Sequence, residues 1–116
     1  MAISEAYAGT ESVTTTEWSC TTDTAGPDVD TTYGVYQAFF DLSDMVAGDE
    51  LQIRVYEKVQ STDTQRVVYQ TNLVGPQSPP IFVTPSLILM NGWDITLDQI
   101  AGTSGITVTW SIRKVA

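Results

Sequence analysis

No histidine occurs among the 116 residues. This removes the commonest general base, the usual catalytic triads and most zinc sites together. Cysteine is nearly absent too: Cys20 stands alone, cannot pair within the chain and reads as a small inert side chain. A fold without disulfides suits a bacterial cytosol, or a particle assembled there. Basic residues number five (Arg54, Lys58, Arg66, Arg113, Lys114) against fourteen acidic ones, a formal charge of −9. Cationic contacts to phosphate dominate affinity for DNA and RNA, so this balance predicts no nucleic-acid partner and no membrane-facing role. The longest apolar run, residues 87–90, is far too short to cross a bilayer. Residues 1–6 have neither a basic start nor an apolar core, which predicts no signal peptide. There is no glycine-rich phosphate loop, since the glycines fall where turns are expected.

What is present is a period of two. In residues 91–116, Trp93, Ile95 and Leu97 alternate with Asp94, Thr96 and Asp98. A small-residue turn at 101–105 follows, and then Ile106, Val108, Trp110 and Ile112 alternate with Thr107, Thr109, Ser111 and Arg113. Sustained on both arms of a turn, this pattern predicts a β-hairpin with one apolar and one polar face.

The rest of the chain also reads as strands. Residues 1–12 form an expected extended N-terminal arm and 13–116 a single β-sandwich domain. The β-branched stretch 13–20 predicts a strand or edge. Residues 23–32, broken by Gly26 and Pro27, predict a loop. Residues 33–42 are apolar on both phases, so that strand is either central and roofed by the arm or places Phe39 at a subunit contact. A single helical turn is expected at 42–47. A clean strand follows at 50–59 with Leu51, Ile53 and Val55 inward, making a second hairpin-like unit, and a strand at 65–73 returns from it. Residues 75–80, with three prolines, must be a connection. Residues 81–83 and 87–90 predict an edge strand bent at Pro85, and Asn91 with Gly92 predicts a tight hairpin turn. Some eight strands at this spacing indicate an all-β, two-sheet antiparallel sandwich, with jelly-roll and immunoglobulin-like orders both open.

A search for chemistry finds little. Asp23, Asp28 and Asp30 share a loop but lack the spacing and closing Glu of a Ca²⁺ loop, so they read as a solvated acidic loop. Asp94 and Asp98, four residues apart on a strand, stand roughly 13 Å from each other. Hydrolytic carboxylate pairs need roughly 5–10 Å. The expectation is therefore no enzyme, no cofactor and no metal. Trp93 and Trp110 lie in phase with the apolar residues and read as core. Ile3, Tyr7, Trp18, Phe39 and Tyr56 are the candidate partner or subunit contacts, because surface aromatics mark protein interfaces.

Several segments carry a resemblance: MAISEAYAGT at 1–10, GVYQ at 34–37 with DLS at 41–43 and AGDE at 47–50, RVYEK at 54–58, and GWDITL at 92–97 with WSIR at 110–113. Together they resemble a group of small virion proteins of tailed phages, over nearly the whole chain, through packing residues and without a site signature. The resemblance implies a capsid decoration or cement protein made in the host cytoplasm and located on the capsid surface. It further implies the major capsid protein as partner and a homo-oligomer, with a trimer favoured. A receptor- or glycan-binding module of a head or tail fibre is the alternative, with Trp18 or Tyr56 in a shallow groove.

Overall fold

The computed structural model describes residues 2–115. Met1, at the start of the expected arm, and Ala116, at the end of the expected domain, lie outside them. The elements are β1 (Ile3–Val13), β2 (Trp18–Ser19), β3 (Thr24–Ala25), β4 (Gly34–Asp41), β5 (Glu50–Glu57), β6 (Arg66–Val74), β7 (Ile81–Val83), β8 (Leu87–Leu89), β9 (Asp94–Ala101) and β10 (Ile106–Val115). They form two antiparallel five-stranded sheets. Sheet A runs β1-β10-β4 and is completed by β7 and β8, which both pair with β4; sheet B runs β3-β2-β9-β5-β6.

Taking β7 and β8 as one broken edge and setting the two-residue β3 aside gives eight strands in the order of a jelly roll. The first strand pairs with the last, β1 on β10, which an immunoglobulin-like order does not do. Inward phases of both sheets meet in one core containing Trp93, Trp110, Tyr36, Phe40, Leu51, Ile53, Ile95 and Ile112. Trp93 packs against Tyr36 at 4.5 Å and edge-on against Tyr7 at 5.9 Å between ring centroids. The two core indoles, Trp93 and Trp110, each donate to a backbone carbonyl, of Thr32 and Cys20 respectively, both at 3.0 Å.

The hairpin expected across residues 91–116 is not one. β9 pairs with β2 and β5 in sheet B, whereas β10 pairs with β1 and β4 in sheet A. The turn at 102–105 therefore crosses from sheet to sheet, roughly 10 Å. Alternation cannot distinguish the two arrangements, because strands facing each other across a core show the same inward phase as strands side by side. The same correction applies to the unit at 33–59, since β4 and β5 also lie in opposite sheets. It applies again to Asn91 and Gly92, which lead from β8 in sheet A to β9 in sheet B. Gly92 sits there at φ +130°, where a Cβ would lie 2.9 Å from Val29. Consecutive strands that do pair are β5 with β6 and, over two residues each, β2 with β3.

Three further expectations change. Residues 3–12 of the expected arm lie in edge strand β1, which is paired along β10. Pairing stops at 14–17, so the strand expected over 13–20 is split between β1 and β2. At 42–47 the chain makes a turn closed by the Met45 N–H to the Leu42 carbonyl at 3.1 Å and not a helix.

Candidate docking face

The register of sheet A fixes which side chains leave the sandwich. β4 is central, between β10 and β7/β8, and its buried phase is Tyr36, Ala38 and Phe40. Val35, Gln37 and Phe39 consequently point outward. On the outer face a continuous row crosses four strands: Ile3 pairs with Val115, Val115 with Val35, and Val35 with Ile88. Ile3 is 72% exposed, Val35 38% and Ile88 78%. A second row runs Ala8–Ser111–Phe39–Val83 and a third Thr10–Thr109–Asp41–Ile81. Four β-branched residues in register give an apolar band at one end of the face.

Between these rows lies polar chemistry. Arg113 stacks on Phe39 with its guanidinium carbon 3.8 Å from the ring centroid. Its Nε donates to Ser111 Oγ at 3.3 Å, and that hydroxyl donates to Glu5 Oε2 at 2.6 Å. This pair divides the face into a shallow groove of about 630 Å³, bordered by Glu5, Thr10, Phe39, Asp41, Ile81 and Thr109, and a smaller hollow of about 220 Å³ beside Ile3, Val35 and Val115. The Asp41 carboxyl is held below its ordinary value by hydrogen bonds from the Ser43 side chain and backbone.

Sheet B is different. Its outer face is a polar layer whose side chains bond one another, with Gln52 Oε1 buried and unpartnered among the described residues. Glu17 Oε2 accepts from Tyr56 at 2.5 Å and Thr96 at 2.6 Å, with Arg54 at 3.6 Å. Burial, followed by the Glu17 hydrogen bond, pushes the Tyr56 phenol up. Burial and the charge of Glu17 raise Asp98. Asp94, expected on a polar face, is fully buried; it accepts from Thr21 Oγ1 at 2.9 Å, the Asp28 N–H at 2.8 Å and its neighbour Ile95 N–H at 2.8 Å.

The five candidate contacts therefore separate. Ile3 and Phe39 share the outer face of sheet A. Tyr7 lies on the core side of β1, its hydroxyl donating to Asp30. Trp18 packs against the core on β2 of sheet B, between Ala25 of β3 and Leu97 of β9, and its indole donates to Asp23 at 3.0 Å. Tyr56 belongs to the Glu17 network. Val35, Arg113 and Ile88 were not singled out by sequence reasoning, although Val35 shares a phase with Phe39, which was the available signal. In the acidic loop, Asp23, Asp28 and Asp30 each bond a different group: Trp18, Thr22 Oγ1 and Tyr7 respectively. Among the described residues no three His, Cys, Asp or Glu side chains are arranged to hold a metal ion. Cys20 is buried and its thiol is pushed well up, by burial first and then by Asp94 and Asp23.

No family model and no curated protein sequence matches the chain. Solved structures do share its fold. One is the crystal structure of PirA, with a TM-score of 0.58 at 12% identity, covering 91% of this chain and 93% of that one. Another is the protein of Bacillus endospore appendages, described as forming a family of disulfide-linked pili, with a TM-score of 0.53 at 11% identity, covering 98% of this chain and 87% of that one. At such identities what is shared is the two-sheet sandwich.

Proposed function

We propose that this chain is a structural protein of a phage virion, of the decoration or cement type, which seats the outer face of sheet A on the major capsid protein and stabilises the head. The observation that carries this reading is the row Ile3–Val115–Val35–Ile88, an exposed apolar band on a chain of net charge −9. Contiguous exposed apolar side chains beside polar ones are the ordinary signature of a protein contact. The sequence resemblance over nearly the whole chain supports the same reading. In it the chain binds and reinforces, and performs no catalysis. Each contact is small, so attachment gains strength from the many copies on one particle.

Assembly by disulfide, as described for the Bacillus appendage protein, does not suit this chain, whose one cysteine is buried. The open edge of β1, eleven residues long, offers a second mode of attachment by backbone pairing. The test is to add purified protein to empty heads that lack it. Binding together with a higher temperature of head disruption supports the reading; heads that neither bind the protein nor gain heat resistance overturn it.

A second reading is favoured by the groove beside Phe39, where Glu5, Asp41 and Arg113 present charge next to an aromatic ring. Such a lining suits a glycan, as in a fibre module. Selective binding on a glycan array, lost on Phe39→Ala, would support it over capsid attachment.

A further inference from the structure

Strand β6 ends sheet B. It pairs with β5 on one side, and its other edge leaves every second backbone N–H and C=O without a ladder partner among the described residues. The strand contains no proline, and residues 67–74 carry no charge in a chain of −9. Tyr69, Thr71 and Leu73 stand opposite Val55, Ile53 and Leu51 on the core side, yet they are only half-buried, whereas those three partners are fully buried. Val68, the extra residue where β6 bulges against Val55 and Tyr56 of β5, is 52% exposed, and Val74 is 68% exposed.

Read about Thr71, residues 68–74 are a chemical palindrome. Val68 matches Val74, Tyr69 matches Leu73, and Gln70 matches Asn72. We propose that β6 pairs antiparallel with β6 of a second copy about a two-fold axis through Thr71, joining two copies of sheet B into one continuous sheet. In an isologous interface residue i meets j while j meets i, so a palindromic strand satisfies both halves of the contact at once. Valine then covers valine, and tyrosine packs on leucine across the strands. Gln70, whose carbonyl oxygen accepts from Arg54 Nε at 3.2 Å, keeps its amide N–H groups to donate to Asn72 of the second copy. An unrelated partner strand would need no such symmetry. The uncharged segment also lets two acidic molecules approach without setting like charges opposite each other. The pair is a dimer contact, separate from the trimer implied by the resemblance and independent of what the sheet A face binds.

The test is the mass of the full-length protein by sedimentation equilibrium across a wide concentration range, with thermal melts to verify folding. The wild type shifts to twice the monomer mass as concentration rises. Val68→Lys and Val74→Glu each weaken self-association by at least about tenfold, and both melt normally because both positions are exposed. An equimolar mixture of the two variants recovers dimer, since the new lysine of one copy faces the new glutamate of the other. A wild type that stays monomeric overturns the proposal. So does a dimer that neither single variant weakens, or a mixture that associates no better than its components.

Discussion

The Arg113 guanidinium carbon lies over the Phe39 ring, 3.8 Å from its centroid, across neighbouring strands β10 and β4. This stack closes the outer phase of β4 without any second layer of chain, so Phe39 stays partly accessible on a strand that is apolar on both sides. A cation over an aromatic ring at a partly exposed site contributes about 0.5–1 kcal/mol. A double-mutant cycle of Arg113→Ala and Phe39→Ala by urea denaturation should return a coupling of that size. A coupling of zero would mean that the two residues share a face without interacting.

Gly9 stands opposite Trp110 on the core side of β1. A Cβ there would lie 2.5 Å from the Trp110 ring. The buried indole cannot move away while its N–H holds the Cys20 carbonyl. Gly9→Ala should therefore destabilise by about 1–3 kcal/mol, the usual cost of overpacking a well-filled core. Trp110→Ala should cost about 3–5 kcal/mol. Urea unfolding of each variant checks both values.

Asp94 fastens the acidic loop to β9 by accepting the Asp28 N–H and the Thr21 hydroxyl from a buried position. Asp94→Ala would leave those donors unpaired, at a cost of about 2–4 kcal/mol. Hydrogen exchange at the Asp28 amide should accelerate more than at amides of β4 and β10. Uniform acceleration would indicate that Asp94 acts on the whole fold and not on the loop.

The Tyr7 phenol is pushed up to about 12, by burial first and then by its hydrogen bond to the Asp30 carboxylate. Its folded value exceeds the ordinary phenol value of 10.0. The folded state therefore holds the proton more tightly, and the associated stability is intact below about pH 10 and lost as pH rises toward about 12. Tyr36 and Tyr56, also raised mainly by burial, act in the same direction. Denaturation across this range should show falling stability, and Tyr7→Phe should make the fall shallower. Tyrosinate absorbance should lag behind that of the unfolded chain.

Much of the sandwich was legible because burial imposes a period of two. Leu51, Ile53 and Val55, and Trp93, Ile95 and Leu97, face the core as their phase requires. Which strands pair was not legible. β9 and β10 are joined by a short turn and share an inward phase, yet lie in opposite sheets, and only their partners reveal it. Asp94 was misplaced for a related reason: its outward phase is covered by the loop at 20–30, a tertiary contact that no local pattern encodes. The docking face was half visible, in Phe39 and Ile3. Val35 and Ile88 join them only through the register of β4 with β10 and β8.

The central claim is that the Ile3–Val115–Val35–Ile88 row is the surface that meets the capsid. Cryo-electron microscopy of heads decorated with the wild-type protein, paired with a binding assay of Ile88→Asp, tests it most directly. The account predicts density for the sandwich with sheet A against the capsid, and at least about tenfold weaker binding for the variant, whose melting is unchanged. A sandwich bound with sheet A facing solvent, or a variant that binds as well as the wild type, would contradict it.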